Sequence, residues 1–337
     1  MSLLLFLLIA LAEGRDFATW TAHQVRPETP PEIAESYRFT GDFFSTLARE
    51  ATRKPAAVEI EEIGQSVGRR PIWAFHVAEP GIPVRQQVLI FAGIHALEWI
   101  STEVAVDILS ELIRYPPRGV RVTVIPLLNP DGRAKVELDL IAGRNTYRRG
   151  NGPEVDLNRN FAQNREAKAI WRHILPGYYQ SSGSTALDQP ESAALDALLR
   201  REMYDRSASL HAFGGYFYYP WTGLWERPPD HRNFVAIGRE MEAAQGAYAY
   251  RTRQLSRWGF FFRAHGTEID HIYGEYGTLP FLVELTRSGA DPRRPRESLK
   301  RYFRWYNPKD SLPHRQRGVS AMRVLIRTEV SPTVPAP

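Results

Sequence analysis

Two runs, Val88 to Gly93 and Val122 to Leu128, are apolar almost throughout, the second broken only by Thr123 and Pro126. Runs with no polar face predict central strands covered on both sides, and Pro126 marks the end of the second because it cannot donate to a sheet ladder. Ala57 to Ile63 and Pro71 to Val77 alternate instead, which predicts edge strands joined through Gly68-Arg69-Arg70. Apolar residues recur at helical spacing over Tyr37 to Ala51 and over Ser101 to Ile113, the latter followed by Pro116 and Pro117. Further helices are predicted over Pro190 to Arg200, Phe234 to Ala244 and Val319 to Ile326, and short strands over Ala208 to Leu210 and Phe281 to Leu285. This alternation predicts an α/β fold: a single domain with a central mixed, mostly parallel twisted β-sheet flanked by helices on both faces. Ligands of such sheets sit in the crevice outside the carboxyl ends of the strands.

The ends of the chain read differently. Leu3 to Ala12 is uninterrupted apolar sequence, too short to cross a bilayer as a helix, and closes on the small-residue pattern Ala10-Leu11-Ala12. Residues 1–12 therefore read as a signal peptide and the protein as exported, periplasmic or secreted, with a cytoplasmic protein as the alternative because no basic residue precedes the apolar stretch. Residues 13–32 form a proline-containing lead, 33–328 the folded domain, and 329–337 a disordered tail.

Composition narrows the chemistry. The 337 residues include no cysteine, so disulfides and thiolate metal sites are excluded and any zinc must be held by His, Asp or Glu. The net charge of +5 is uneven, with ten Lys and Arg against three Asp and Glu between Arg287 and Arg317. That segment reads as a solvated basic face or as an attraction to an anionic cell envelope. No nucleic-acid recognition motif or stacking platform accompanies the charge, and no integral membrane span is expected.

Candidate chemistry clusters at predicted strand ends. His95 and Glu98 follow the Val88 run, and an imidazole and a carboxylate three residues apart are a common way to hold a divalent metal. His211 follows the Ala208 strand, 116 residues further on. Glu284 lies inside the apolar segment Phe281 to Leu285, where a carboxylate must pair, bind metal or hold its proton more tightly, as suits a general base. Arg148 and Arg149, with Asn158 and Arg159 in Asp156-Leu-Asn-Arg-Asn160, supply guanidinium and amide donors that fit a carboxylate.

Together these segments resemble the zinc carboxypeptidase (carboxypeptidase A-like, funnelin) family, in its bacterial-type form. The resemblance runs from about Tyr37 to Thr328 through IGQSVGRRPIW (63–73), GIHALEWIS (93–101), LLNPDGR (127–133), VDLNRNF (155–161), LHAFGGYFYYPW (210–221) and EIDHIYGEYGTLPFLVELT (268–286). It implies one Zn²⁺ ligated by His95, Glu98 and His211, with Glu284 as the general base acting on a metal-activated water. Arg148 matches the arginine that stabilises the oxyanion, and Asn158 and Arg159 match the pair that binds a peptide's free C-terminal carboxylate. Ile269 matches the floor of the specificity pocket, an apolar residue there resembling enzymes that prefer apolar C-terminal side chains. Arg257, Glu268 and Thr222 fall near the same pocket by count. Phe262 stands where carboxypeptidase A has a mobile tyrosine, so the phenol that caps bound peptide is missing unless Tyr273 or Tyr276 replaces it.

The implied function is a metallopeptidase that hydrolyses the C-terminal peptide bond of peptides. Alternatives with the same metal triad are a peptidase of peptidoglycan stem peptides, a zinc-dependent deacylase, and a catalytically inactive peptide-binding relative. The physiological peptide and the oligomeric state are not legible in the chain.

Overall fold

The computed structural model describes residues 16–24, 27–165, 182–247, 249–259, 263–287, 289 and 293–329. The expected signal peptide, and the tail beyond Glu329, lie outside the described residues.

Eight strands form one sheet: β1 (Val58–Gln65), β2 (Pro71–Val77), β3 (Gln86–Ala92), β4 (Val120–Ile125), β5 (Arg206–Ala212), β6 (Tyr216–Tyr219), β7 (Arg251–Gln254) and β8 (Leu279–Leu285). Their order is β1-β2-β4-β3-β5-β8-β6-β7. The middle four, β4-β3-β5-β8, run parallel, whereas β1-β2, β2-β4 and β6-β8 pair antiparallel. The mixed sheet expected from sequence is present. One correction concerns β2, expected at an edge, which pairs with β1 on one side and β4 on the other. Its alternation is between two apolar faces: Trp73, Phe75 and Val77 enter one core and Ile72 and Ala74 the other.

That two-sided burial recurs in β3, where Val88 and Ile90 face the larger core and Leu89 and Phe91 the smaller. The larger core is covered by α2 (Thr40–Arg53), α3 (Trp99–Arg114), α6 (His231–Ala243) and α8 (Leu312–Arg327), the smaller by α5 (Pro190–Glu202) and α7 (Glu268–Tyr276). Two further helices, α1 (Phe17–Ala22) and α4 (Pro130–Ile141), complete the longer elements. The sequence pattern did not show α4, α7, β6 or β7. The two strands are four residues each, too short for a period to register, and α4 is only weakly amphipathic.

The packed core extends ahead of Ile33. Phe17 is buried, with its ring 5.1 Å from those of both Trp73 and Phe75, and Asp16 caps α1 by accepting from the Thr19 backbone N–H at 2.8 Å.

Strand order reverses beside β3, since α3 leads to β4 on one side while the return connection places β5 on the other. The carboxyl ends of β3 and β5 thus flank the topological switch point, where open sheets of this kind leave a crevice. Gly93 makes the turn there with φ +66°, and a Cβ on it would meet Leu127 Cδ1 at 2.8 Å. Only glycine takes that backbone without strain.

Phe17→Ala should cost about 3–5 kcal/mol if the segment before Ile33 is integral to the core. Denaturant unfolding of the full chain measures this, and a loss below about 1 kcal/mol would make α1 a peripheral attachment.

Candidate metal centre and substrate cleft

The switch-point turn delivers His95 and Glu98 directly after β3, and β5 carries His211 one residue before its end. His211 is the register partner of Glu284 on the neighbouring parallel strand β8, so the two side chains leave the sheet on the same face. His95, Glu98 and His211 are all buried, and their ligand atoms lie within 4.8 Å of one another. The two Nδ1 atoms face each other at 3.1 Å, and Glu98 Oε1 is 2.8 Å from His95 Nδ1. Its Oε2 is 3.1 Å from His211 Nδ1 and accepts the Ala212 backbone N–H at 3.0 Å.

The outer nitrogens are engaged as well. His95 Nε2 is 3.1 Å from Asp156 Oδ1, and His211 Nε2 is 2.9 Å from Glu268 Oε1 and 2.8 Å from Ser209 Oγ. Carboxylates on both Nε2 atoms favour the Nε2–H tautomer, which turns both Nδ1 lone pairs inward. Two inward lone pairs and a carboxylate oxygen suit a cation better than each other. Three N and O donors of this type, without thiolate, match a zinc site that keeps a coordination position open. The residues therefore fit the ion.

Electrostatics follow from burial and charge. Burial alone would raise the Glu98 carboxyl, but the facing imidazoles His95 and His211 outweigh it and hold the group well below the usual carboxylate range. Burial disfavours a charged His211, yet its bonds to Glu268 and Glu98 push it up to about 10 without a metal. For Glu284 the positive charges of His211 and Arg149 offset burial only in part. Burial, then the negative charge of Glu98, push it up to about 8, and its Oε2 is buried without a hydrogen-bond partner.

A cleft of about 280 Å³ opens over these groups. Its lining includes His95, Glu98, His211 and Glu284 together with Arg149, Asn158 and Arg159. Larger clefts of about 680 and 740 Å³ lie elsewhere, one by the amino ends of β3 and β4, and neither lining includes a histidine.

Not every expected residue reaches the cleft. Arg148 is turned away: its Nε donates to Asp139 Oδ2 at 2.9 Å and its Nη1 to Glu154 Oε1 at 3.1 Å. Its neighbour Arg149 takes the place expected of it, donating from Nε to Asp156 Oδ2 at 2.7 Å with Nη1 3.7 Å from Glu98 Oε1. Adjacent residues in an irregular segment project in different directions, so only the fold could choose between them. Ile269 is fully buried and packs with Leu255, Ala264 and Leu282, three residues of the cleft wall, so it backs the wall from behind. Phe262 lies outside the described residues.

Neither tyrosine proposed as its substitute comes to the cleft. Tyr273 donates to Asp230 at 3.0 Å, and the Tyr276 hydroxyl bonds to Asp196. Instead Tyr147 and Tyr306 line the cleft, their hydroxyls 3.1 Å apart, beside Phe213. Sequence reading missed these two, and Tyr306 lies in the basic segment with no local signal. It also gave no role to Asp156, although the residue stands within the Asp-Leu-Asn-Arg-Asn motif.

The geometry agrees with the family comparison, in which the zinc carboxypeptidase model matches residues 44–310. The chain belongs to the zinc carboxypeptidase family. It is 27% identical over 233 residues to the uncharacterized protein YqgT of Bacillus subtilis, covering 60% of each chain. It is 23% identical over 287 residues to human carboxypeptidase B2, covering 79% of this chain and 66% of that one. The chain thus spans somewhat under two thirds of the length of these curated relatives. Its fold is similar to that of bovine thrombin-activatable fibrinolysis inhibitor, solved in complex with tick carboxypeptidase inhibitor. There the TM-score is 0.71 at 22% identity, covering 87% of this chain and 97% of the other. Zinc is the metal of the family, and His95, Glu98 and His211 are the residues that would hold it.

The raised Glu284 pKa carries a stability consequence. Its folded value, about 8, exceeds the ordinary 4.5, so ionising it as pH rises between those values costs the metal-free protein stability. Metal-free Glu284→Gln, neutral throughout, should melt a few °C above metal-free wild type at pH 8. The gap should close as the pH falls to about 4. Equal melting temperatures at both pH values would show that the carboxyl is not strained by burial.

Proposed function

We propose that this chain is a zinc metallocarboxypeptidase that hydrolyses the C-terminal peptide bond of peptides. The observation carrying this reading is one cleft holding a histidine–glutamate–histidine set, a separate carboxyl with a raised pKa, and an asparagine–arginine pair suited to a terminal carboxylate.

Bound zinc supplies Lewis acidity, lowering the pKa of a coordinated water to about 7 and polarising a carbonyl. The chain's own groups do the rest. Glu284 takes a proton from the attacking water and later returns it to the leaving amine, a role that suits a carboxyl whose pKa is near neutrality. Arg149, held by Asp156, presents its guanidinium to the oxyanion that develops on the scissile carbonyl. Asn158 and Arg159 grip the terminal carboxylate, Arg159 with the planar fork that matches it. Phe213, Leu255, Ala264 and Leu282 give the cleft an apolar wall, which supports a preference for apolar C-terminal residues.

The apolar stretch Leu3 to Ala12 supports export, and no helix among the described residues is long and apolar enough to cross a membrane. Within the basic segment, Arg315 donates to both oxygens of Asp107, at 2.7 and 2.5 Å, so part of its charge is neutralised internally. Association with an anionic envelope would rest on the remainder.

A peptide and its C-terminal amide separate this reading from other hydrolases. Only the free acid should turn over, and equal rates would refute a carboxypeptidase. Arg149→Ala should lower kcat about 10²–10³-fold, the loss of one oxyanion donor, whereas Arg148→Ala should stay within a few-fold of wild type. The reverse order would return the role to Arg148. Glu284→Gln should abolish turnover while retaining zinc. In wild type, kcat/KM should rise with pH along a limb centred below about 8, because a bound dication favours the ionised carboxyl.

A further inference from the structure

The resemblance gives Glu268 no role beyond a position near the specificity pocket by count, yet it contacts two residues expected to hold metal or substrate, His211 and Asn158. It is fully buried at the first position of α7. One carboxylate oxygen is 2.9 Å from His211 Nε2, while the other is buried with no hydrogen-bond partner. Its backbone N–H donates to Asn158 Oδ1 at 3.0 Å. A half-satisfied buried carboxylate is costly, and folding alone gives no reason to keep one here. A cation on the far side of the imidazole does. The ring transmits the attraction, and the carboxylate in return fixes ring orientation and makes Nδ1 a stronger donor.

The partner arrangement on His95 sharpens the point. Asp156 braces His95 through Oδ1, and the same oxygen accepts the Asn158 backbone N–H at 3.0 Å. Asn158 is thus held at its N–H by the residue behind one histidine and at its amide oxygen by the residue behind the other. With Oδ1 taken, the amide's remaining donors, on Nδ2, are those a ligand carboxylate can use.

We propose that Glu268 is a positioning residue that sets the zinc affinity of His211 and, through its backbone N–H, orients Asn158 for the substrate carboxylate. This rests on the zinc carboxypeptidase reading above. The test is zinc affinity of the full chain, measured by competition with a chromophoric chelator after metal removal. Wild type should bind one zinc, and Glu268→Ala should bind it about 10–100-fold more weakly. Glu268→Gln keeps a neutral acceptor and the backbone N–H, and should recover part of that loss. Tyr276→Phe, on the same helix but outside the cleft, should match wild type. If the alanine variant does not fold, Glu268→Gln decides alone: a several-fold weaker affinity supports the proposal. Affinities within threefold of wild type in the folded variants overturn it. Wild type that takes up no zinc would instead overturn the metallopeptidase reading itself, a result plainly different from equal affinities.

Discussion

Burial of like charges at the carboxyl edge of the sheet is the constraint around which this molecule is organised. Glu98, Asp156 and Glu268 are fully or nearly inaccessible, and Glu284 is half-buried beside them, within one small region. Carboxylates repel one another strongly where the dielectric is low, so each needs a compensating partner or must keep its proton. Asp156 has Arg149 and His95, Glu98 has both imidazoles, and Glu268 has His211. Glu284 is left over. Burial and then the negative charge of Glu98 raise its pKa, and the positive charges of His211 and Arg149, shared with the other carboxylates, offset them only in part.

The sheet makes this crowding possible. Parallel strands β3, β5 and β8 are fixed in register by backbone ladders, and each turns one apolar face to the larger core. They place His95, His211 and Glu284 at neighbouring strand ends to within the precision of backbone hydrogen bonding. Helices and turns then bring the supporting groups: α7 carries Glu268, and the short turn after Asp156 carries Asn158 and Arg159. Gly266, at φ +65°, lets the chain pass close behind that turn, where a Cβ would meet Arg159 O at 2.8 Å. His95, Glu98, His211, Glu284, Asn158 and Arg159 are therefore parts of one packed unit.

The cleft walls follow a looser logic. Tyr147 and Tyr306 come from segments without regular periodicity and meet only through long-range packing, Tyr306 also lying 5.2 Å from the Phe213 ring. Under the proposed function such walls set which side chains fit, and the buried charge cluster sets the chemistry. The two can vary independently, as expected of a scaffold that carries different specificities on one reaction centre.

The primary structure by itself determined the strands buried on two faces, the helices of strong period and a carboxyl among apolar neighbours at position 284, while the resemblance named His95, Glu98 and His211 as the expected metal ligands. The first three are written in local pattern or residue type: an apolar run has one stable environment, and a glutamate inside one must pair, bind metal or hold its proton. Tertiary structure alone decided that Arg149 and not Arg148 faces the cleft, that β2 is interior, that Phe17 joins the core, and that Glu268 and Asp156 stand behind the two histidines. The reason is physical. Direction of a side chain in an irregular segment, and the partner across 57 or 61 residues, are fixed by packing against distant elements, which no window of sequence contains.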